Sequence, residues 1–325
     1  MNKKMSLLAL ILIVMSVFLF GCNEESSSSS TQDIELSTAT TTGNFYPFGS
    51  ALANVWNDNV SGVRVASQSS DGSVQNINLM KKGNINMGLS TLGVLYNAYH
   101  GKGQFDGRKS EDIRAVSTLF TDAAQVIVTK DSGIDSVEEI DGKSFVPGAP
   151  QSGTKDLAEI IFNSYDMTFE DMKAEFVGFS QASDLLRNGK IDGAHVMSAL
   201  PTSATIEILS STDSKILSLS DEAINKATEE NSWLIEQTIP SDTYDQLDRD
   251  ISTVAQPSVL FVSKDMSEDL IYELTKTMWE NLKVLRDTID AAKNMKIEGA
   301  TSGVADIPLH PGAKKYYKEQ GVLEE

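Results

Sequence analysis

The sequence predicts an α/β fold of two lobes, each a mostly parallel sheet flanked by helices, with a ligand cleft between them. Three observations predict it. Strand-like runs alternate with amphipathic helical runs, the order that builds parallel sheets. Three strand-to-helix turns combine Ser or Thr with Gly: Thr41-Thr42-Gly43, Ser69-Ser70-Asp71-Gly72-Ser73 and Gln151-Ser152-Gly153-Thr154. From about Asp33 onward the chain is long enough for two lobes of ordinary size.

The first turn follows Ile34-Glu35-Leu36-Ser37, and Phe48, Leu52, Val55 and Trp56 then recur on one helical face. The second follows Val63-Arg64-Val65-Ala66 and leads into Val74, Ile77 and Met80. Ile85-Asn86-Met87-Gly88-Leu89 reads as a short strand. Gln125 to Thr129 opens a second unit, continued by Ser136 to Lys143. The third turn follows Ser144-Phe145-Val146 and leads into a face of Leu157, Ile160, Ile161 and Tyr165. Gly193 to Met197 reads as a strand feeding Leu200-Pro201-Thr202-Ser203-Ala204 and a fourth helix. Ser258 to Val262 is a late strand able to return to the first lobe. One long helix is expected from about Ser267 to Asp287, and a last one from Ala313 to Gln320, stopped by Gly321. The domain assignment is 33–122 plus 258–325 for lobe 1 and 123–257 for lobe 2.

The start of the chain reads as a targeting segment rather than fold. Lys3 and Lys4 precede an apolar run from Leu7 to Val14 that continues to Phe20, so residues 1–21 form a secretion signal. Cys22 is the single cysteine, which excludes an intramolecular disulfide; its place after Leu19-Phe20-Gly21 resembles a bacterial lipobox with Cys22 as the lipidated residue. Residues 22–32 then form a Ser-rich tether to a membrane-anchored, extracytoplasmic protein. The formal charge is -19, and losing Lys3 and Lys4 with the leader lowers it by two more, to -21. Such acidity argues against nucleic acid and anionic lipid surfaces as partners.

A helix N-terminus carries unpaired N–H groups and partial positive charge, so the three turns together read as a cradle for a small anionic or zwitterionic ligand. None of them contains arginine. Arg64, Arg108, Arg114, Arg187, Arg249 and Arg286 are scattered, so backbone donors and hydroxyls must hold a carboxylate. Arg64 is kept as a reserve contact, with a surface charge as its plainer reading.

Four segments, TTTGNFYPFGSALANVWND (41–59), GSVQNINLMKKGNINMGLS (72–90), GAPQSGTKDLAEIIFNSYDM (148–167) and IPLHPGAKKYYKEQGVL (307–323), resemble the TAXI family of extracytoplasmic solute receptors. The likeness covers essentially the whole exported chain. It implies a periplasmic-binding-protein fold of the second topological type. It also implies capture of a small organic acid or amino acid, closure of the lobes, and delivery to the permease subunits of a TRAP-type ion-driven transporter. Glutamate-like amino acids, 2-oxoacids and dicarboxylates are the ligands the family implies. Where many relatives carry Gln and then Asp two residues on, this chain has Thr91 and Gly93; where relatives place Tyr and then an aromatic, it has Phe45-Tyr46. Loss of an amide and a carboxylate shifts the expected ligand away from α-amino acids and toward oxoacids or dicarboxylates.

The candidate ligand-binding residues are Thr42, Gly43, Tyr46, Ser70, Ser73, Asn76 and Thr91 on the first lobe. On the second they are Ser152, Gly153, Thr154, Met197 and Pro201. Each has a plainer reading beside this one. Ser70 and Ser73 cap a helix, Tyr46 and Met197 are core, Asn76 is locally bonded, and Pro201 opens a helix through its fixed φ.

No enzyme is expected. His100, His195 and His310 are far apart in sequence, and no calcium-loop pattern occurs. Gly178-Phe179-Ser180-Gln181-Ala182 lacks the second glycine of a nucleophile elbow and reads better as a turn. No catalytic residue, metal or cofactor is assigned, and the protein is expected to be a monomer. The alternatives are a ligand-sensing lipoprotein feeding a signalling receptor and, behind it, a hydrolase or transferase.

Overall fold

Residues 31–304 and 306–324 are described by a computed structural model. The secretion signal, Cys22 and nearly all of the tether lie outside these residues. Gln32, expected at the tether's end, already belongs to the first strand.

The first five elements are β1 (Gln32–Ser37), α1 (Phe45–Asn59), β2 (Val63–Gln68), α2 (Ser73–Lys81) and β3 (Met87–Thr91), followed by α3 (Leu92–His100). A long strand, β4 (Ile113–Thr129), crosses to the second half of the molecule. There lie β5 (Ser144–Val146), α4 (Gly153–Ser164), β6 (Lys173–Ala174), α5 (Phe179–Arg187), β7 (Gly193–Ser198), α6 (Ser203–Ser211), β8 (Ser214–Leu217), α7 (Asp221–Glu230) and β9 (Ile235–Ile239). The second crossing strand, β10 (Ile251–Ser263), returns to the first half and its helices α8 (Glu268–Glu280), α9 (Leu282–Thr288) and α10 (Pro311–Glu319).

The strand order is β2-β1-β3-β10-β4-β7-β5-β6, with β8 beside β4 and β9 beside β10. Outer pairs are parallel, as the strand–helix alternation requires: β1 with β2 and β3, β5 with β6 and β7. The centre is antiparallel, because β4 and β10 run against each other and against β7 and β3. The sheet is therefore mixed. Two long crossing strands join the halves, and Gln125 to Thr129 is the last five residues of one 17-residue strand rather than a new start.

The β4–β10 register shifts between Pro257 and Val259 and again between Leu260 and Phe261. Pro257 lacks a ladder donor and so belongs at such an irregularity. Ser258 lies within the first shift, and Asp122, the register partner of Gln256, lies just before it.

Each half has its own apolar interior. Phe48, Leu52, Trp56, Leu260 and Tyr317 are fully buried on one face of the first half, and Ile77, Leu95, Phe105 and Phe261 on the other. Phe145, Leu157, Ile161 and Phe162 fill one face of the second half, and Ile127, Ile208 and Ile216 the other. The helix expected over 267–287 breaks at Asn281, whose side chain donates to the Thr277 carbonyl (2.9 Å). No helix of the described residues is long and apolar enough to cross a membrane.

Candidate functional site

All three glycine turns follow the carboxyl ends of parallel strands, where ligands sit in open α/β sheets. They come from opposite halves and meet. Gln75 N–H, in α2, donates to the Gln151 carbonyl at 3.1 Å, and Asn44 Nδ2 donates to the Ala199 carbonyl at 2.8 Å. At the rim, Thr42 Oγ1 lies 3.4 Å from Ser180 Oγ. The two halves are thus closed on each other.

Glycine is what permits the approach. Gly72, at φ +119°, has a backbone that other residues rarely adopt, and a Cβ there would lie 3.5 Å from Ser152 Cα. A Cβ on Gly153 would lie 2.8 Å from Thr91 Oγ1 and 2.9 Å from Ser73 Oγ. Ser152 caps α4: its Oγ accepts from Lys155 N–H (3.1 Å) and donates to the Ala149 carbonyl (2.7 Å). The first-turn N–H groups of Gly153 and Thr154 have no intrahelical partner, and both residues line the space between the halves.

A cavity of about 40 Å³ lies between the halves, lined by Gly43, Asn44, Phe45, Gly72, Ser73, Asp122, Ser152, Gly153, Thr154, Phe179 and Met197 among others. It has room for roughly three waters. No lysine, arginine or histidine lines it; its ionisable residues are Asp71 and Asp122. Asp122 is 2 % exposed, and burial pushes its carboxyl up to about 7, although the Ser258 hydroxyl and the Ala199 backbone donate to it. His195, buried on β7 two residues before Met197, is driven down to about 4 by burial, the backbones of Pro147 and Thr154 offsetting only part of it.

The twelve candidate residues separate into groups. Gly43, Ser73, Ser152, Gly153, Thr154 and Met197 line the cavity. Ser70 lines the adjoining outer groove with Ser180 and Gln181, and Thr42 stands at the same rim. Asn76 and Thr91 lie behind the wall, fully buried. Asn76 Oδ1 accepts from Ser37 and Ser70 hydroxyls at 2.7 Å each, and its Nδ2 donates to the Thr38 and Leu89 carbonyls at 2.7 Å each. Thr91 N–H donates to Ser73 Oγ (3.0 Å). Tyr46 and Pro201 do not line the cavity. Pro201 also does not open the fourth helix: α6 begins at Ser203 with Thr202 as its N-cap. Ser73 does not cap α2, whose N-cap is Gly72. Arg64 pairs with Asp33 on the exposed edge (2.7 Å).

Asp122 and Phe179 line the cavity without having been singled out in the sequence. Phe179 opens α5, and a Cβ on Gly43 would come within 3.2 Å of its ring. The Gly178-Phe179-Ser180 stretch is thus a helix start facing the cleft. Among the described residues no cluster of three or more His, Cys, Asp or Glu is placed to hold a metal ion.

The profile of the NMT1-like family matches residues 36–321. Among solved structures, the chain is similar to the zinc-bound ligand-binding component of an ABC-type import system from Staphylococcus aureus (11% identity, TM-score 0.51, covering 90% of this chain and 93% of that one). It is similar as well to a Bordetella bronchiseptica protein (14% identity, TM-score 0.50, covering 90% and 83%). These two likenesses establish the fold, the periplasmic-binding-protein architecture. The alkanesulfonate-binding protein SsuA of Xanthomonas axonopodis, bound to MOPS, aligns at 11% identity and a TM-score of 0.49 over 88% and 83%.

Proposed function

The chain belongs to the NMT1-like family, and from that membership and the cleft we propose that it is an extracytoplasmic receptor for a small carboxylate-bearing solute. The observation that carries this reading is the convergence of three Ser/Thr-Gly turns, from both halves, on one closed cavity. The likeness to a ligand-binding import component supports the same architecture of capture.

A solute enters between the halves, is held by N–H groups at the starts of α1, α2 and α4 and by the Ser73 and Ser152 hydroxyls, and favours the closed arrangement by binding both walls. The halves swing about the two crossing strands β4 and β10, the lobes being 33–122 plus 258–325 and 123–257. The closed form is presented to the permease subunits of a TRAP-type transporter, an assignment that the resemblance to TAXI receptors supports. Lipidation at Cys22 holds the monomer at the membrane, and the receptor performs no catalysis of its own. A 2-oxoacid, a dicarboxylate or a glutamate-like amino acid is the proposed cargo.

Thermal shift of the purified protein against those three ligand classes tests the reading. A ligand at 100 times its Kd contributes about 2.7 kcal/mol to the native state and must raise Tm. A full panel without any stabilisation rules the receptor reading out.

A further inference from the structure

The cleft combines two features that oppose each other. Residues at the starts of α1, α2 and α4 line one small space, and the partial positive charge of helix N-termini suits an anion there. Thr91 Oγ1, fully buried, has no hydrogen-bond partner and stands 2.8 Å from where a Gly153 Cβ would be, against that same wall. Yet the acid Asp122, buried beneath the Ser258 hydroxyl and the Ala199 backbone, is one of the residues that line the cavity. Its strand neighbours place no cation against it. Gln256 is its register partner on β10, Ser258 donates to it, and Asp71 is the other ionisable group of the lining.

An anionic solute in this space would share a small, enclosed site with Asp122, and two carboxylates sharing a dry site cannot both stay charged at ordinary cost. Resting on the receptor reading above, we infer that Asp122 determines specificity by accepting a proton as an anionic solute binds, so that capture takes up a proton wherever the free protein holds Asp122 ionised. The protonated acid then turns from a repelling charge into a hydrogen-bond donor toward the solute carboxylate. Atoms balance simply: the proton comes from solvent and resides on an Asp122 oxygen while the site is closed. Burial already holds this carboxyl near neutrality, so the proton is gained at little cost around pH 7.

The alternative occupant, a zwitterion, would bring its own ammonium to an ionised Asp122, and its affinity would respond to pH with the opposite sign. The experiment therefore uses probes that differ only in that group: pyruvate against L-alanine, and 2-oxoglutarate against L-glutamate. Each is titrated calorimetrically and by thermal shift at pH 6.0, 7.0, 8.0 and 8.5, where the probes keep their charge. An oxoacid should bind best at pH 6 and lose affinity toward tenfold per pH unit above 7; comparing two buffers of different ionisation enthalpy should show little proton uptake at pH 6.0 and close to one proton per ligand at pH 8.0 and 8.5. Asp122→Asn should bind the same oxoacid with no pH dependence, its melting curve at each pH verifying that it is folded. Ser258→Ala, which removes a donor to the ionised form, should move the wild-type profile toward higher pH. Binding that is flat across the window, or an amino-acid preference that grows with pH, overturns the inference while leaving a receptor in place. Absence of stabilisation by every probe at every pH removes the receptor reading, and the proton linkage falls with it.

Discussion

Trp233, in the segment between α7 and β9, stacks on Tyr96 of α3 with ring centroids 4.8 Å apart, joining the two halves of the molecule outside the cavity. Gly93 makes room for it: a Cβ there would lie 2.4 Å from Trp233 Nε1. The stretch after β3 that departs from the TAXI pattern is therefore where an aromatic from the second half lands. Gly93→Ala should displace the indole and weaken the closed state, lowering ligand affinity by about 5- to 150-fold, the equivalent of roughly 1–3 kcal/mol of overpacking. Trp56 and Trp279 are buried in the core of the first half, so ligand-dependent tryptophan emission should come from Trp233 and vanish in Trp233→Phe. A full emission change in that variant would show that the stack does not follow closure.

Gly153 tests the cleft wall itself. Its α-carbon approaches Ser73 and Thr91 so closely that Gly153→Ala places a methyl within 3 Å of both hydroxyls. Alanine fits an α-helical first turn without backbone strain, so the second half should fold as before. The expected result is a drop in affinity of tenfold or more with an unchanged ligand-free urea midpoint. Equal affinity would mean that ligand binding does not require the two halves to meet here.

Asn76 should behave in the opposite way. Its amide nitrogen donates to the Thr38 and Leu89 carbonyls at 2.7 Å and to the Ser37 carbonyl at 3.3 Å, and its oxygen accepts from two hydroxyls at 2.7 Å, all in the first half. Asn76→Ala strands buried carbonyls of Thr38 and Leu89 and should cost roughly 2–4 kcal/mol of stability. Asn76→Asp should cost more, since its oxygens face those carbonyls. Affinity measured well below the melting temperature should stay within about threefold of wild type, whereas a selective loss of binding would return Asn76 to the ligand's side of the wall.

Asn76 and Asp122 show where reading the sequence works and where it stops. The turns were legible because Ser/Thr-Gly after an apolar strand has one common use, and residues 41–43, 69–73 and 151–154 do converge. Whether a polar residue near a turn faces the ligand or braces the turn from behind depends on helix phase within one turn, which separates Ser73 from Asn76. Asp122 was hidden differently. It falls at the lobe boundary assigned from sequence, with the second unit opening at Gln125, whereas β4 runs through it from Ile113 to Thr129. Its usable signal was a lone acid inside a long strand-like stretch, which a buried strand tolerates only with a purpose. The antiparallel centre of the sheet was unreadable for a related reason: pairing partners of β4 and β10 are set by contacts more than a hundred residues apart.

Two buried ionisable groups make opposite demands on stability. His195 titrates lower in the fold than in the unfolded chain, about 4 against 6.5. Its contribution is therefore whole above pH 6.5 and is lost as pH falls toward 4. Asp122 titrates higher, about 7 against 3.8, so its contribution is whole below 3.8 and is lost as pH rises toward 7. At 1.36 kcal/mol per pH unit each amounts to on the order of 3–4 kcal/mol. Between pH 4 and 7 the two slopes oppose each other, and wild-type stability should vary little on their account. Each single variant should expose the other group. His195→Gln should leave a protein whose urea-derived stability falls as pH rises from 4 to 7, and Asp122→Asn one whose stability rises from pH 4 to 6.5. Parallel pH profiles for wild type and both variants would show that neither group is held as the buried geometry requires.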